Sequence, residues 1–138
     1  MKSYKVIFTA LALLVLITVS VSSCKKKCKE AGKGGDVTIA AKMQHHGFTI
    51  LNKAWYLDTV YLKFNTQNSP GTDLASYDTY FVGEEGEDHI HLEGLKCGDY
   101  YIYGVGFDTT INERVTGGIP YSFEQESGEI DLNVPVTE

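Results

Sequence analysis

Gly94-Leu95-Lys96-Cys97-Gly98-Asp99-Tyr100-Tyr101-Ile102-Tyr103-Gly104-Val105-Gly106-Phe107-Asp108, residues 94–108, is the stretch that decides the fold. Gly94 and Gly98 bracket a turn. From Tyr100 onward the side chains alternate with a period of two, which marks a strand and not a helix. Tyr101, Tyr103, Val105 and Phe107 fall on one face, and Tyr100, Ile102, Gly104 and Gly106 on the other. The two glycines leave a shallow strip that another backbone or a bulky side chain can approach closely.

Similar alternation recurs on both sides. Downstream, residues 110–116 read as a weaker strand stopped by Gly117-Gly118, residues 121–125 as another, and a last strand turns Ile130, Leu132, Val134 and Val136 inward. Upstream, Val37, Ile39, Ala41 and Met43 share one face, and Gln44-His45-His46-Gly47 ends that run. Val60, Leu62 and Phe64 oppose Thr59, Tyr61 and Lys63. Residues 65–71 form a polar loop. Residues 73–77 read as one helical turn capped by Thr72 or Asp73, and residues 79–82 as a short strand. Residues 83–88 make an acidic loop, and Ile90 and Leu92 point inward between His89 and His91. No ten-residue amphipathic helix follows residue 36. The expectation is an all-β domain, an antiparallel β-sandwich of about seven strands.

Charge divides the 138 residues into three parts. Residues 1–23 carry +2, residues 24–35 carry +4 and residues 36–138 carry −12, within an overall −6. The acidic part is long enough for one core and too short for two. Its charge repels phosphate backbones, which argues against a nucleic-acid partner.

Residues 1–23 read as a cleaved signal peptide: Lys2 and Lys5 precede a nearly unbroken apolar stretch from Val6 to Val21. Val21-Ser22-Ser23-Cys24 resembles a bacterial lipobox, and the resemblance implies cleavage before Cys24 and acyl chains on its sulfur. Two or more chains anchor a protein stably. Residues 24–35, rich in lysine and glycine, read as a flexible tether spanning roughly 20 Å. The expected location is a Gram-negative cell envelope, on the outer membrane in preference to the inner. Export places Cys28 and Cys97 in an oxidising compartment. A Cys28–Cys97 disulfide would clip the tether to the domain, but the flexible setting of Cys28 favours a free Cys97.

Gly94-Leu95-x-x-Gly98-x-Tyr100, opening a strand, resembles the prealbumin-like (transthyretin-like) sandwiches, among them the carboxypeptidase regulatory domain and collagen-adhesin B-type repeats. In that pattern Leu95 plugs the end of the core, Gly98 permits the tight turn, and Tyr100 hydrogen-bonds back over the corner. The chain also resembles small lipoproteins of Gram-negative envelopes at His45-His46, Val60-Tyr61-Leu62-Lys63, Tyr77-Asp78 and Gly98-Asp99-Tyr100-Tyr101. Transthyretin-related hydroxyisourate hydrolases end in Tyr-Arg-Gly-Ser, whereas this chain ends Asn133-Val134-Pro135-Val136-Thr137-Glu138 and has Arg114 as its one arginine. That departure argues against a hydrolase, and the resemblance implies a fold more than a role.

His89-x-His91 is the sharpest local signal for chemistry, because residues two apart on a strand share a face and can hold one ion. Glu87 and Glu93 have the same parity. Two histidines alone are no motif, so solvent-facing imidazoles are the favoured reading. His45 and His46 are adjacent and face opposite ways unless a turn redirects them; one buried, hydrogen-bonded histidine is the expected outcome. Residues 84–88 lack the spacing of an EF-hand loop and read as solvated. No nucleophile elbow and no phosphate loop is present. Trp55, Tyr56, Tyr61, Tyr77, Tyr80, Tyr100 and Tyr121 exceed what a small core needs and suit a sugar or protein contact.

The expected function is that of an envelope-anchored, non-catalytic binding or structural module. Its partners would be the membrane through the lipid on Cys24, and an envelope protein or glycan. Divalent-cation binding by His89, His91 and neighbouring acids is the alternative, with no resident Zn²⁺ or Ca²⁺ favoured, and a hydrolase ranks last.

Overall fold

The computed structural model describes Cys28 and residues 30–138. The signal peptide and Cys24 lie outside these residues. Among the described residues no helix is long and apolar enough to cross a membrane.

Among the described residues, eight strands form two four-stranded sheets: β1 (Gly32–His45), β2 (Phe48–Thr49), β3 (Thr59–Phe64), β4 (Thr79–Val82), β5 (Ile90–Lys96), β6 (Gly98–Asp108), β7 (Glu113–Phe123) and β8 (Ser127–Val136). In the first sheet β1 is central, with β8 along one edge and β5 and the short β2 along the other. The second runs β4-β3-β6-β7. The protein is an all-β sandwich.

Alternation places the core between the sheets. Val37, Ile39, Ala41 and Met43 of β1 face Val60 and Leu62 of β3 and Tyr100 and Ile102 of β6, all buried. Each large aliphatic side chain removed from water contributes roughly 1.5–3 kcal/mol. The glycine strip of β6 is filled as its pattern suggests. A Cβ on Gly104 would stand 2.6 Å from Met43 Sδ, and one on Gly106 would stand 3.0 Å from Met43 Cε. Those glycines let Met43 lie flat across β6. The helical turn is a short 3-10 segment at Leu74–Ser76, capped by the Asp73 side chain accepting from Ala75 N.

Four features differ from the sequence reading. First, β8 runs parallel to β1 over Asp36–His45. These strands are far apart in sequence, so no tight turn forces them antiparallel. Second, Gly117-Gly118 does not stop a strand. β7 continues through both, because a Cβ on Gly117 would strike the Pro135 carbonyl and one on Gly118 would stand 3.0 Å from Tyr101 Cε1. Gly117 serves the close approach of β8, sealed by the Thr116–Thr137 hydrogen bonds, and Gly118 serves close packing against Tyr101 and Ile102 of β6. Third, β1 begins at Gly32, inside the stretch read as tether. Gly32 and Lys33 pair with Lys96 and Leu95, and a bulge follows before Val37. A Cβ on Gly35 would strike the Leu95 carbonyl, so glycine there also serves close packing. Fourth, Cys97 is not free: it is bonded to Cys28, with Cα atoms 5.5 Å apart and a sequence separation of 69. The bond can form because Ala31 and Gly32 are already held beside the end of β5.

Candidate functional site

Strand β6 runs the length of the sandwich, roughly 33 Å at a strand's rise per residue, and so separates two poles. At its Gly98 end lie Cys28, Ala31 and Cys97. The Tyr100 hydroxyl donates to Lys96 O (2.5 Å) and accepts from Gly32 N (3.0 Å). Ala31 N donates to Asn65 Oδ1 at 2.8 Å. This end is a strap: one covalent bond and several neutral hydrogen bonds hold the chain as it enters β1.

At the Asp108 end, His45 closes β1. It is buried, and both ring nitrogens are engaged: Nδ1 with Asp108 Oδ2 at 2.7 Å and Nε2 with Glu138 Oε2 at 2.8 Å. The Asp108 hydrogen bond is the main cause of a raised His45 pKa, opposed by burial and helped by Glu138. Asp108 is pulled down to about 2, first by the Thr110 hydroxyl (2.6 Å) and then by His45. The imidazole between two carboxylates, whose protonated form this setting favours, is a clasp joining β1, β6 and the chain end two residues after β8. Both nitrogens are engaged, and His45, His46 and Glu138 each place a potential ligand atom within 4.8 Å of the others.

His46 and Gly47 turn the chain into β2 with positive φ angles of 50° and 84°. That turn redirects His46, so its ring lies 4.2 Å from the His45 ring, yet it remains in solvent 4.0 Å from Glu138. Beside the clasp is a cleft of about 410 Å³, its walls including Phe48, Leu51, Lys53 and Ile111.

The loop between β2 and β3 carries Leu51, Trp55 and Leu57 and is rigidly held. Asn52, buried, accepts from Asp58 N (2.9 Å) and donates to Glu87 O (3.1 Å). Buried Asp58 accepts from Phe107 N at 3.1 Å, and burial pushes its pKa up to about 6. Trp55 packs edge-on against Phe107 with ring centroids 5.0 Å apart. Even so, Phe48 is 79% exposed and Trp55 64%, and Leu51, Leu57 and Ile111 are exposed with them. Exposed apolar side chains thus gather at the pole opposite the strap.

The other aromatics singled out in the sequence divide. Tyr100 is core, whereas Tyr80, Tyr61 and Tyr103 form a row across β4, β3 and β6, with Tyr77 stacked on Tyr103 at 5.4 Å.

His89 and His91 come together. Their Nε2 atoms are 3.0 Å apart, and His89 Nδ1 lies 2.7 Å from Asp88 Oδ1. The His89 hydrogen bond, followed by Lys42, holds Asp88 below the usual carboxylate range. Glu84, Glu87 and Glu93 line the same groove. Cys24 lies outside the described residues. The clasp was not legible in the sequence beyond a buried His45, because Asp108 and Glu138 lie 63 and 93 residues away.

No family model, no curated protein and no solved structure matches this chain.

Proposed function

We propose that this protein is an envelope-anchored lipoprotein whose β-sandwich is a non-catalytic binding module, held to the membrane at its strapped pole and engaging a protein partner at the other. One observation carries this reading: Phe48, Leu51 and Ile111 are exposed around one cleft at the end of the sandwich away from Cys28, with exposed Trp55 packed on Phe107 and exposed Leu57 in the same β2–β3 loop. Contiguous exposed apolar side chains at one place mark a contact surface. Three of the five are aliphatic, which suits the apolar centre of a protein interface better than the flat aromatic stacking that sugars prefer.

The anchor rests on Lys2, Lys5, the apolar stretch and Val21-Ser22-Ser23-Cys24. Lys25, Lys26 and Lys27 alone separate Cys24 from Cys28. With the disulfide closed, the leash from lipid to domain is at most about 14 Å, so the strapped pole faces the bilayer and the apolar pole faces outward. The prealbumin-like relationship is supported by Leu95 buried at the end of the core and by Tyr100 bonding back to Lys96.

Two substitutions test the reading in cells. Cys24→Ala is expected to move the protein from the membrane to the soluble fraction; retention in the membrane contradicts the anchor. Phe48→Asp with Leu51→Asp is expected to abolish co-purification of a stoichiometric envelope protein while leaving Tm unchanged. Unaltered co-purification contradicts the binding pole.

A further inference from the structure

The geometry points to a site for a transition-metal dication, of the Zn²⁺ class, on the outer face of β5 at His89 and His91, independent of the apolar pole. The His89 Nδ1–Asp88 Oδ1 contact of 2.7 Å fixes the tautomer. A carboxylate accepts only, so Nδ1 carries the proton and Nε2 presents a lone pair. His91 Nε2 lies 3.0 Å from that lone pair. With His91 protonated on Nε2 the two rings share a hydrogen bond. With the His91 proton on Nδ1, which is exposed to solvent, both lone pairs converge on one point. No net proton is lost in that exchange of tautomer.

The spacing fits a metal. Zn–N bonds of about 2.05 Å with nitrogens 3.0 Å apart subtend about 95° at the ion, and opening the pair by about 0.3 Å gives the tetrahedral angle. His91 is exposed and can make that move. Asp88 behind His89 is the carboxylate–histidine arrangement that orients a metal ligand and raises its basicity. Asp88 is itself held by Lys42 Nζ at 3.3 Å. The carboxylates gathered with His89 are those of Glu87 and Asp88; Glu84 and Glu93 line the same groove as His91, and a side-chain rotation is needed to bring an oxygen ligand to the two Nε2 atoms. Imidazole donors select Zn²⁺, Ni²⁺ or Cu²⁺ over Ca²⁺, which takes oxygens. A second group, His45, His46 and Glu138, also gathers one ligand atom from each residue within reach of one ion, so the variants below tell the two places apart.

Thermal unfolding of residues 24–138, disulfide intact, with Zn²⁺, with Ca²⁺ and without either, tests this. Zn²⁺ is expected to raise Tm and Ca²⁺ to leave it unmoved, as a ligand that binds only the native state must do. His91→Gln should abolish the Zn²⁺ shift without changing the metal-free Tm, and Asp88→Asn should weaken Zn²⁺ affinity about tenfold. His46→Gln should change neither. Co²⁺ in place of Zn²⁺ should give visible absorption that His91→Gln removes. The site is overturned if Zn²⁺ leaves Tm unmoved, if the shift survives His91→Gln, or if Ca²⁺ stabilises equally.

Discussion

Where the chain enters the sandwich, Cys28, Ala31 and Gly32 are tied down by a disulfide, an asparagine amide and the Tyr100 hydroxyl. At the far end β1 finishes in His45, held between Asp108 and Glu138, with Phe48, Leu51 and Trp55 exposed around it. The first set of contacts is covalent or neutral, and pH across the physiological range leaves it alone. The second is ionic and beside solvent, so its strength depends on protonation. On the reading proposed above, with one end attached and the other open to a partner, this is the division of chemistry expected.

The largest way to break the contrast is to open the strap. Replacing both cysteines, Cys28→Ala with Cys97→Ala, releases a loop 69 residues long in sequence, and the chain-entropy relation for such a loop gives a loss of about 4 kcal/mol. Urea unfolding measures it; a loss under about 1 kcal/mol would mean that the neutral hydrogen bonds alone hold this pole. Next comes Tyr100→Phe, which keeps the ring and leaves Gly32 N without its buried acceptor. A cost of about 2 kcal/mol is expected, read from the same experiment.

At the other pole the effect is smaller and depends on pH. The His45 pKa is raised above its ordinary 6.5, so its contribution is fully present below that value and is lost as pH rises through the higher folded value. The Asp108 pKa falls from 3.8 to about 2, so its contribution is present above 3.8 and is lost as pH falls towards 2. The clasp is therefore strongest between those limits. Asp58, raised to about 6, works the other way: its ionisation costs stability as pH climbs from 3.8 to 6. Subtracting the Tm–pH curve of His45→Gln from that of the parent removes the Asp58 part. The difference should be widest near pH 5 and should shrink above pH 7, and a flat difference contradicts the ionic clasp. The smallest expected effect is that of Phe48→Asp, within about 0.5 kcal/mol, because the ring is in solvent. A larger loss would make Phe48 part of the packing and not a free contact.

Where local pattern decided the outcome, the sequence was readable. The β6 faces, the inward Ile90 and Leu92, the Asp73 cap, β4 and the Tyr100 corner all follow from alternation or from turn chemistry within a few residues. Gly117-Gly118 misled because the same residue serves a stop and a close approach, and only the positions of Pro135 beside Gly117 and of Ile102 and Tyr101 beside Gly118 tell which. Gly34-Gly35 misled likewise: a glycine-rich run resembles a leash until Leu95 lies against it. Parallel pairing of β1 with β8 and the partners of His45 depend on residues 63 to 93 positions apart, where no local signal reaches. His89-x-His91 stands between these cases. Shared parity was visible in the sequence, whereas the facing Nε2 atoms and the support from Asp88 needed the fold.

Site-specific photo-crosslinking in intact cells compares the poles directly. A benzophenone amino acid placed at Phe48 of the full-length protein is expected to trap a discrete protein adduct. The same group at Glu124, on the strapped pole, is expected to trap none. Equal adducts from both positions, or none from Phe48, would contradict an outward-facing binding pole.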